Sequence, residues 1–345
     1  MLQPVHFFYL LIAFSLSSLV NYLCIALSHS QGIFMDEEQK IQKVHRLPTP
    51  RIGGLGIFLG SMFILCNQEL GGYVLLASVP AFIAGFLEDY TGNIAPAQRL
   101  AIMCLSPVMA FVLLPATIFL HAGAVPLPGL VGIMGTLLLT VALVNGVNFV
   151  DGQNGLAGGA GMVIFAGLAL VAHNVHDRSV FFISLVPLSA ISGFMLFNYP
   201  AGKIFLGDGG AYFMGFLAAT LTVLLQQRHG AELSPMMIPA LLVYPLCEVA
   251  FSTVRKLVYD RISPFKSDGY HFHHLLYRNH ARGRGHVVAI YLLPLQILVA
   301  LGAVAVCGAT KWLTLIVAAY ILVYTFLYAN ERRKDTKSKQ ALLEA

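Results

Sequence analysis

Four stretches of this sequence carry residues whose types and spacing suit chemistry on phosphate. The first, Gly85 to Asn93, holds the adjacent acids Glu88 and Asp89 and is followed by Arg99. Neighbouring carboxylates repel, and a divalent cation relieves the repulsion; Mg²⁺ favours one or two carboxylates together with substrate phosphates. A solvated acidic turn would read the same way. The second, Asn145 to Gly159, places Asn145, Asn148, Asp151 and Asn154 three residues apart among glycines that allow close approach to a ligand. A flexible hairpin is the plain alternative, but it does not need four polar side chains in this register.

The third stretch runs from Asn198 to Gly210 and ends where an apolar segment begins. Asp208 and the amides after it then sit at a helix N-terminus, whose free N–H groups and dipole favour phosphate. A helix cap accounts for Asp208 alone and leaves Asn198 and the glycines unexplained. The fourth, Asp268 to Arg278, has His271, His273 and His274 inside a basic loop from Arg255 to Arg284. Three histidines in four residues suit a metal or an anion. No cysteine lies in the loop, so phosphate contact is favoured over zinc. A His-rich positive-inside loop is the bland reading.

The elements that must hold these stretches are membrane helices. Of 345 residues 57% are hydrophobic and 11% charged, against about 25% charged in a soluble domain, and mean hydropathy is +0.76. Apolar runs reach bilayer length, which excludes a soluble enzyme, a disordered chain and a disulfide scaffold. The fold class expected is all-α and polytopic, with about eleven spans (ten on the lower count). The spans are placed at Val5–Leu27, Arg51–Cys66, Gly72–Leu87, Arg99–Leu120, Gly129–Val147, Gly155–Val171, Val180–Phe197, Gly210–Leu225, Met236–Leu257, His286–Cys307 and Trp312–Ala329. The first has no basic residue before it and no cleavage site after it, so it reads as a retained span. Cys24, Cys66, Cys104, Cys247 and Cys307 form no C-x-x-C pair and support neither zinc nor a disulfide framework.

With the N-terminus outside and the C-terminus inside, all but Arg178, Arg228 and Lys311 of the 21 Lys and Arg fall inside. The positive-inside rule favours that orientation strongly. It also gathers Glu88, Asp89, Asp151, Asp208, Asp260 and Asp268 on the inner face, beside hydrocarbon that makes unpaired acids costly. Residues 1–330 then form one transmembrane domain with inner loops 28–50, 88–99, 148–154, 198–209 and 258–285, and 331–345 form a basic tail. The bunched positive charge reports topology, and no nucleic-acid partner is expected.

These stretches, with His45-Arg46-Leu47-Pro48-Thr49-Pro50-Arg51-Ile52-Gly53-Gly54 before them, resemble the polyprenyl-phosphate N-acetylhexosamine-1-phosphate transferases. Five ordered motifs carry the likeness between residues 45 and 275. The resemblance implies Mg²⁺-dependent transfer (Mn²⁺ as a substitute) of a sugar 1-phosphate from a UDP-sugar to undecaprenyl phosphate, with release of UMP. It implies catalytic roles for Glu88, Asp89, Asp208 and His273. Substrate contacts would fall to Arg51, Arg99, Asn145, Asn148, Asp151, Asn154, Asn198, His271 and His274, and metal ligation to Asp208, Asp89 and Asp151. The setting implied is the bacterial inner membrane, with the site toward the cytoplasm and a homodimer as a candidate assembly. Two positions depart from the pattern: Glu88 replaces the usual first Asp of the pair, and Asn154 stands where a second acid is common. No motif encodes which sugar is used. A transporter or flippase of lipid-linked sugars is the alternative. It would want acids at mid-membrane, where only Glu248 is found.

Overall fold

The computed structural model describes residues 4–35, 48–65, 68–114, 121–122, 125–126, 129–263, 268–281 and 283–344. His45, Arg46 and Leu47 of the first motif, Lys266 and Arg282 of the basic loop, Cys66, and the expected extension of the fourth span to Leu120 lie outside them. The helices are α1 (Pro4–Gln31), α2 (Gly53–Leu65), α3 (Glu69–Thr91), α4 (Pro96–Leu113), α5 (Gly129–Val150), α6 (Leu156–Asn174), α7 (Arg178–Asn198), α8 (Gly207–Arg228), α9 (Met237–Leu241), α10 (Val243–Val254), α11 (Phe272–Leu276), α12 (His286–Ala305) and α13 (Thr310–Glu344). Extended pairing among the described residues is confined to His121–Ala122 against Val125–Pro126 and a bridge between Met35 and Pro50.

Nine of these helices are long and apolar enough to cross a membrane, so the chain is a polytopic membrane protein. Two expected spans differ. The second is a 13-residue helix, α2. The ninth is broken at Leu242 into α9 and α10 and ends in a π-helical turn, Arg255–Tyr259. Pro245 sits in the first turn of α10, where its missing N–H costs no intrahelical bond, although α3, α4, α7 and α12 each carry an interior proline without breaking.

The core is built around α8, which is buried at every residue from Gly207 to Gln226. It packs against α2, α3 and α5, while α1 covers α2 and α7, and α12 covers α6. Inside a bilayer apolar side chains gain little by leaving lipid, so helices associate through close van der Waals contact at small residues. The crossing of α3 and α8 shows this at Gly85, where a Cβ would stand 2.3 Å from the carbonyl carbon of Asp208. That contact sets the last turn of α3 directly on the first turn of α8. Helix α3 also runs further than expected, to a left-handed cap at Gly92 (φ 66°). Glu88 and Asp89 are therefore helical residues, not loop residues, and Asn145 and Asn148 likewise belong to the end of α5.

Candidate active site

The site is organised by the N-terminus of α8. The first amides of any helix lack intrahelical partners, and here three of them are taken by carboxylates of the chain itself. Gly207 N donates to Asp151 Oδ2 at 3.1 Å, Asp208 N to Asp89 Oδ1 at 3.0 Å, and Gly209 N to Asp89 Oδ2 at 2.9 Å. This corrects the expectation that these amides are open to phosphate. Their role is to bring acids from α3 and from the turn after α5 onto one helix end, where the dipole favours negative charge.

The Asp208 side chain is held by two arginines. Arg51 Nη2 donates to Oδ1 at 3.2 Å and Arg99 Nη1 to Oδ2 at 3.0 Å, with the Tyr212 hydroxyl 3.4 Å from Oδ2. Arg51 also stands 4.0 Å from Asp89, and Arg99 stands 3.5 Å from Glu88. Glu88 Oε2 accepts the Ile94 amide at 3.0 Å, closing the turn between α3 and α4. The acids form the floor and the guanidiniums the open side: the Asp89 and Asp208 side chains are 3% and 10% exposed, those of Arg51 and Arg99 31% and 22%. Three carboxylates, those of Glu88, Asp89 and Asp208, lie within 4.0 Å of the two guanidiniums, and Asp151 joins them through the Gly207 amide.

The asparagines brace this end of the bundle. Asn198 Oδ1 accepts the Gly155 amide at 2.7 Å while its Nδ2 donates to the Ile204 carbonyl at 2.8 Å. Asn154 Nδ2 donates to the Pro200 carbonyl at 3.2 Å. Both residues tie the Asp151 turn to the segment that leads into Asp208. Asn145 is engaged with its own helix, donating to Val141 O at 2.8 Å. Asn148, half-buried, gives its carbonyl to the Asp151 amide at 3.1 Å.

The histidines arrive from α11. His273 is fully buried with its ring against Gly152: a Cβ at Gly152 would meet Nε2 at 2.4 Å, so no larger residue fits beside Asp151. His271 and His273 stack with ring centroids 5.6 Å apart, and His274 lies 4.2 Å from His273. Neither nitrogen of His273, nor Nδ1 of His274, has a hydrogen-bond partner within the chain. Burial, then the neighbouring histidines, holds the His273 imidazole well below its ordinary value and pushes His274 down to about 3. Both are neutral at physiological pH. The expectation that they add positive charge toward an anion is corrected accordingly: they offer neutral hydrogen-bonding groups.

Cationic character on this side comes from a residue that sequence reading left within the basic loop. Lys256 is buried, with its ammonium 5.7 Å from the centre of the Phe149 ring. Only the π-helical turn after α10 places it there. Its neighbour Arg255 is also buried and pairs with Asp260 and Asp268.

Among the described residues no three His, Cys, Asp or Glu side chains gather closely enough to hold a metal ion. Arg51 and Arg99 occupy the oxygens of Asp208. The donors nonetheless have the chemistry for Mg²⁺: they are hard carboxylate oxygens with no thiolate among them. Asp89 is the least available of the three expected ligands, since each of its oxygens already accepts an amide.

Residues 72–226, which include Glu88, Asp89, Asp151 and Asp208, match the family described as glycosyl transferase family 4. The match covers 155 of the 345 residues, and over them the chain is similar to that family. Among its relatives is a decaprenyl-phosphate N-acetylglucosaminephosphotransferase of Mycobacterium leprae, 29% identical over 72% of this chain and 71% of that one. A probable undecaprenyl-phosphate N-acetylglucosaminyl 1-phosphate transferase of Bacillus subtilis is 25% identical, covering 84% and 82%. An undecaprenyl-phosphate alpha-N-acetylglucosaminyl 1-phosphate transferase of Haemophilus influenzae is 24% identical, covering 85% of each chain. The chain is a membrane phosphotransferase.

Proposed function

We propose that the protein transfers N-acetylglucosamine 1-phosphate from its UDP-sugar to undecaprenyl phosphate, releasing UMP. We place this at the cytoplasmic face of a bacterial inner membrane, as the first membrane step toward a cell-surface polysaccharide. The observation that carries the reading is the pair of guanidiniums held over Asp208 at the open side of the acid cluster. Guanidinium forks suit phosphate oxygens, and the acceptor and the donor each bring phosphate. The relatives' names support the polyprenyl acceptor and the sugar.

The acceptor monoester has a second pKa near about 6, so at neutral pH it is mostly dianionic and needs no general base. Arg51 and Arg99 would turn from Asp208 to its phosphate, holding it in line with the donor. One acceptor oxygen attacks the sugar-linked phosphorus. As that P–O bond forms, the bond from the same phosphorus to the bridging oxygen breaks, and UMP leaves with the electron pair. Neutral His273 and His274 would hydrogen-bond the donor, and buried Lys256 would bring positive charge near it. Asp208 and Asp151 would hold Mg²⁺, which when bound neutralises developing phosphate charge.

The test is UMP release by purified protein given undecaprenyl phosphate, MgCl₂ and a panel of UDP-sugars. UDP-N-acetylglucosamine should be the fastest donor, and EDTA should stop turnover, with MgCl₂ or MnCl₂ restoring it. No UMP from any UDP-sugar would sink the proposal.

A further inference from the structure

Glu248 is a buried acid of the bundle, among the described residues, that the site described above does not use. It lies in α10 with 1% of its surface exposed. A carboxyl there costs several kcal/mol unless a partner offsets the loss of water. Its partner is His271: Nδ1 of that ring is 3.2 Å from Glu248 Oε2. Oε1 has no hydrogen-bond partner, and the Tyr324 side chain is the carboxyl's other hydrogen-bonding neighbour.

His271 is fixed from three further directions. Its ring lies 4.9 Å from the Phe149 ring at the end of α5 and stacks on His273 with an interplanar angle of 11°. Its carbonyl accepts the amides of His274 and Leu275, which starts α11. The crossing that brings α10 against α5 is tight, since a Cβ on Gly146 would stand 2.6 Å from the Pro245 carbonyl oxygen. Glu248 follows Pro245 by three residues on the same helix, so the α5–α10 crossing sets the height of the carboxyl beneath the histidine loop.

We infer that Glu248 is a positioning residue: it fixes the orientation of His271 and, through the stacked rings, the seating of His273 against Gly152. Nδ1 of His271 is the nitrogen that faces Glu248, so Nε2 is the nitrogen left for substrate. The inference rests on the transferase reading for what His271 then does, and on geometry alone for the pair itself.

The test is a double-mutant cycle on the full-length protein. Glu248→Ala and His271→Ala are each expected to lower kcat for UMP release by about tenfold or more, with KM for UDP-N-acetylglucosamine moving by less than about threefold. The double variant should be no worse than the poorer single one. Glu248→Gln, whose amide still hydrogen-bonds Nδ1, should keep more activity than Glu248→Ala. Losses that multiply in the double variant would overturn the inference.

A second measurement does not depend on turnover or on the alanine variant's folding. Diethyl pyrocarbonate modification, read residue by residue by mass spectrometry, should change by more than about threefold at His271 in Glu248→Leu, which removes the hydrogen-bonding group and keeps the bulk. Exposed His29 and His176 should stay the same. An unchanged rate at His271 would overturn the pairing. Should the unsubstituted protein release no UMP from any UDP-sugar, the transferase reading falls, and the labelling still decides whether Glu248 sets His271.

Discussion

Asp89 caps the helix that carries Asp208. Its two carboxylate oxygens accept the amides of Asp208 and Gly209 at 3.0 and 2.9 Å, while the Asp208 side chain turns the other way to Arg51 and Arg99. Two acids that look equivalent in sequence therefore have different work. One builds the helix end; the other presents charge to the open side.

Replacing each by asparagine should separate these roles. An amide at position 89 must turn its NH₂ toward one of two backbone donors, leaving a buried N–H unsatisfied at a cost of about 1–3 kcal/mol. Asp89→Asn should lower the melting temperature in detergent as well as activity. Asp208→Asn keeps the helix end intact, so it should melt like the parent while kcat falls by about a hundredfold or more. Equal melting losses in both variants would contradict the division.

Glu88→Asp bears on the departure from the family pattern. The longer side chain spans from Arg99 (3.5 Å) to the Ile94 amide (3.0 Å). One methylene less cannot reach both. The variant restores the commoner family residue, yet kcat should still fall severalfold, remaining above that of Asp89→Asn. Full activity in Glu88→Asp would show that the Ile94 contact contributes nothing to placing Arg99.

Much of the site's membership was legible in sequence because polar residues beside long apolar runs stand out: Glu88, Asp89, Asp151 and Asp208 do meet at one helix end. What each does there was not legible. Whether the amides at 207–209 face a ligand or a carboxylate depends on the α3–α8 crossing at Gly85, a long-range contact no local pattern encodes. Asn198 read as a pocket residue, yet both ends of its amide bind backbone. Lys256 was hidden among loop cations because its burial follows from a π-helical turn, a single extra residue that re-aims the side chain. The break at Leu242 was not legible either: Pro245 lies just after it, but Pro80, Pro107, Pro187 and Pro294 sit inside continuous helices.

The neutral histidines give the protein an acid-sensitive seam. In the unfolded chain His274 titrates near about 6.5, whereas in the folded protein burial holds it to about 3. Below about pH 6.5 the unfolded state takes up a proton that the folded state refuses. Stability is thus full above that pH and declines as pH falls toward 3, by at most about 1.4 kcal/mol per pH unit for this one group. Thermal melts between pH 7.5 and 5 should show the decline, and His274→Gln should make the curve shallower. A curve unaltered by the substitution would mean that other groups govern the acid limb.

Orientation decides whether the acid cluster can meet a nucleotide sugar, which is made in the cytoplasm and does not cross a bilayer unaided. Helix α8 spans from the cluster at Gly207 to Arg228, about 33 Å at 1.5 Å per residue, so its two ends report opposite faces. Ala97, exposed in the first turn of α4, lies on the cluster side; Ala231, also exposed, follows the far end of α8. In a cysteine-free background, Ala231→Cys should react with a membrane-impermeant thiol reagent in intact cells. Ala97→Cys should react only after the membrane is opened. The charge distribution argues for this result, since the topology expected from sequence puts all but three of the 21 Lys and Arg on the inner side. Reaction of Ala97→Cys in intact cells would place Glu88, Asp89 and Asp208 outside, away from any UDP-sugar, and the proposed donor would have to be abandoned even with the likeness to the family standing.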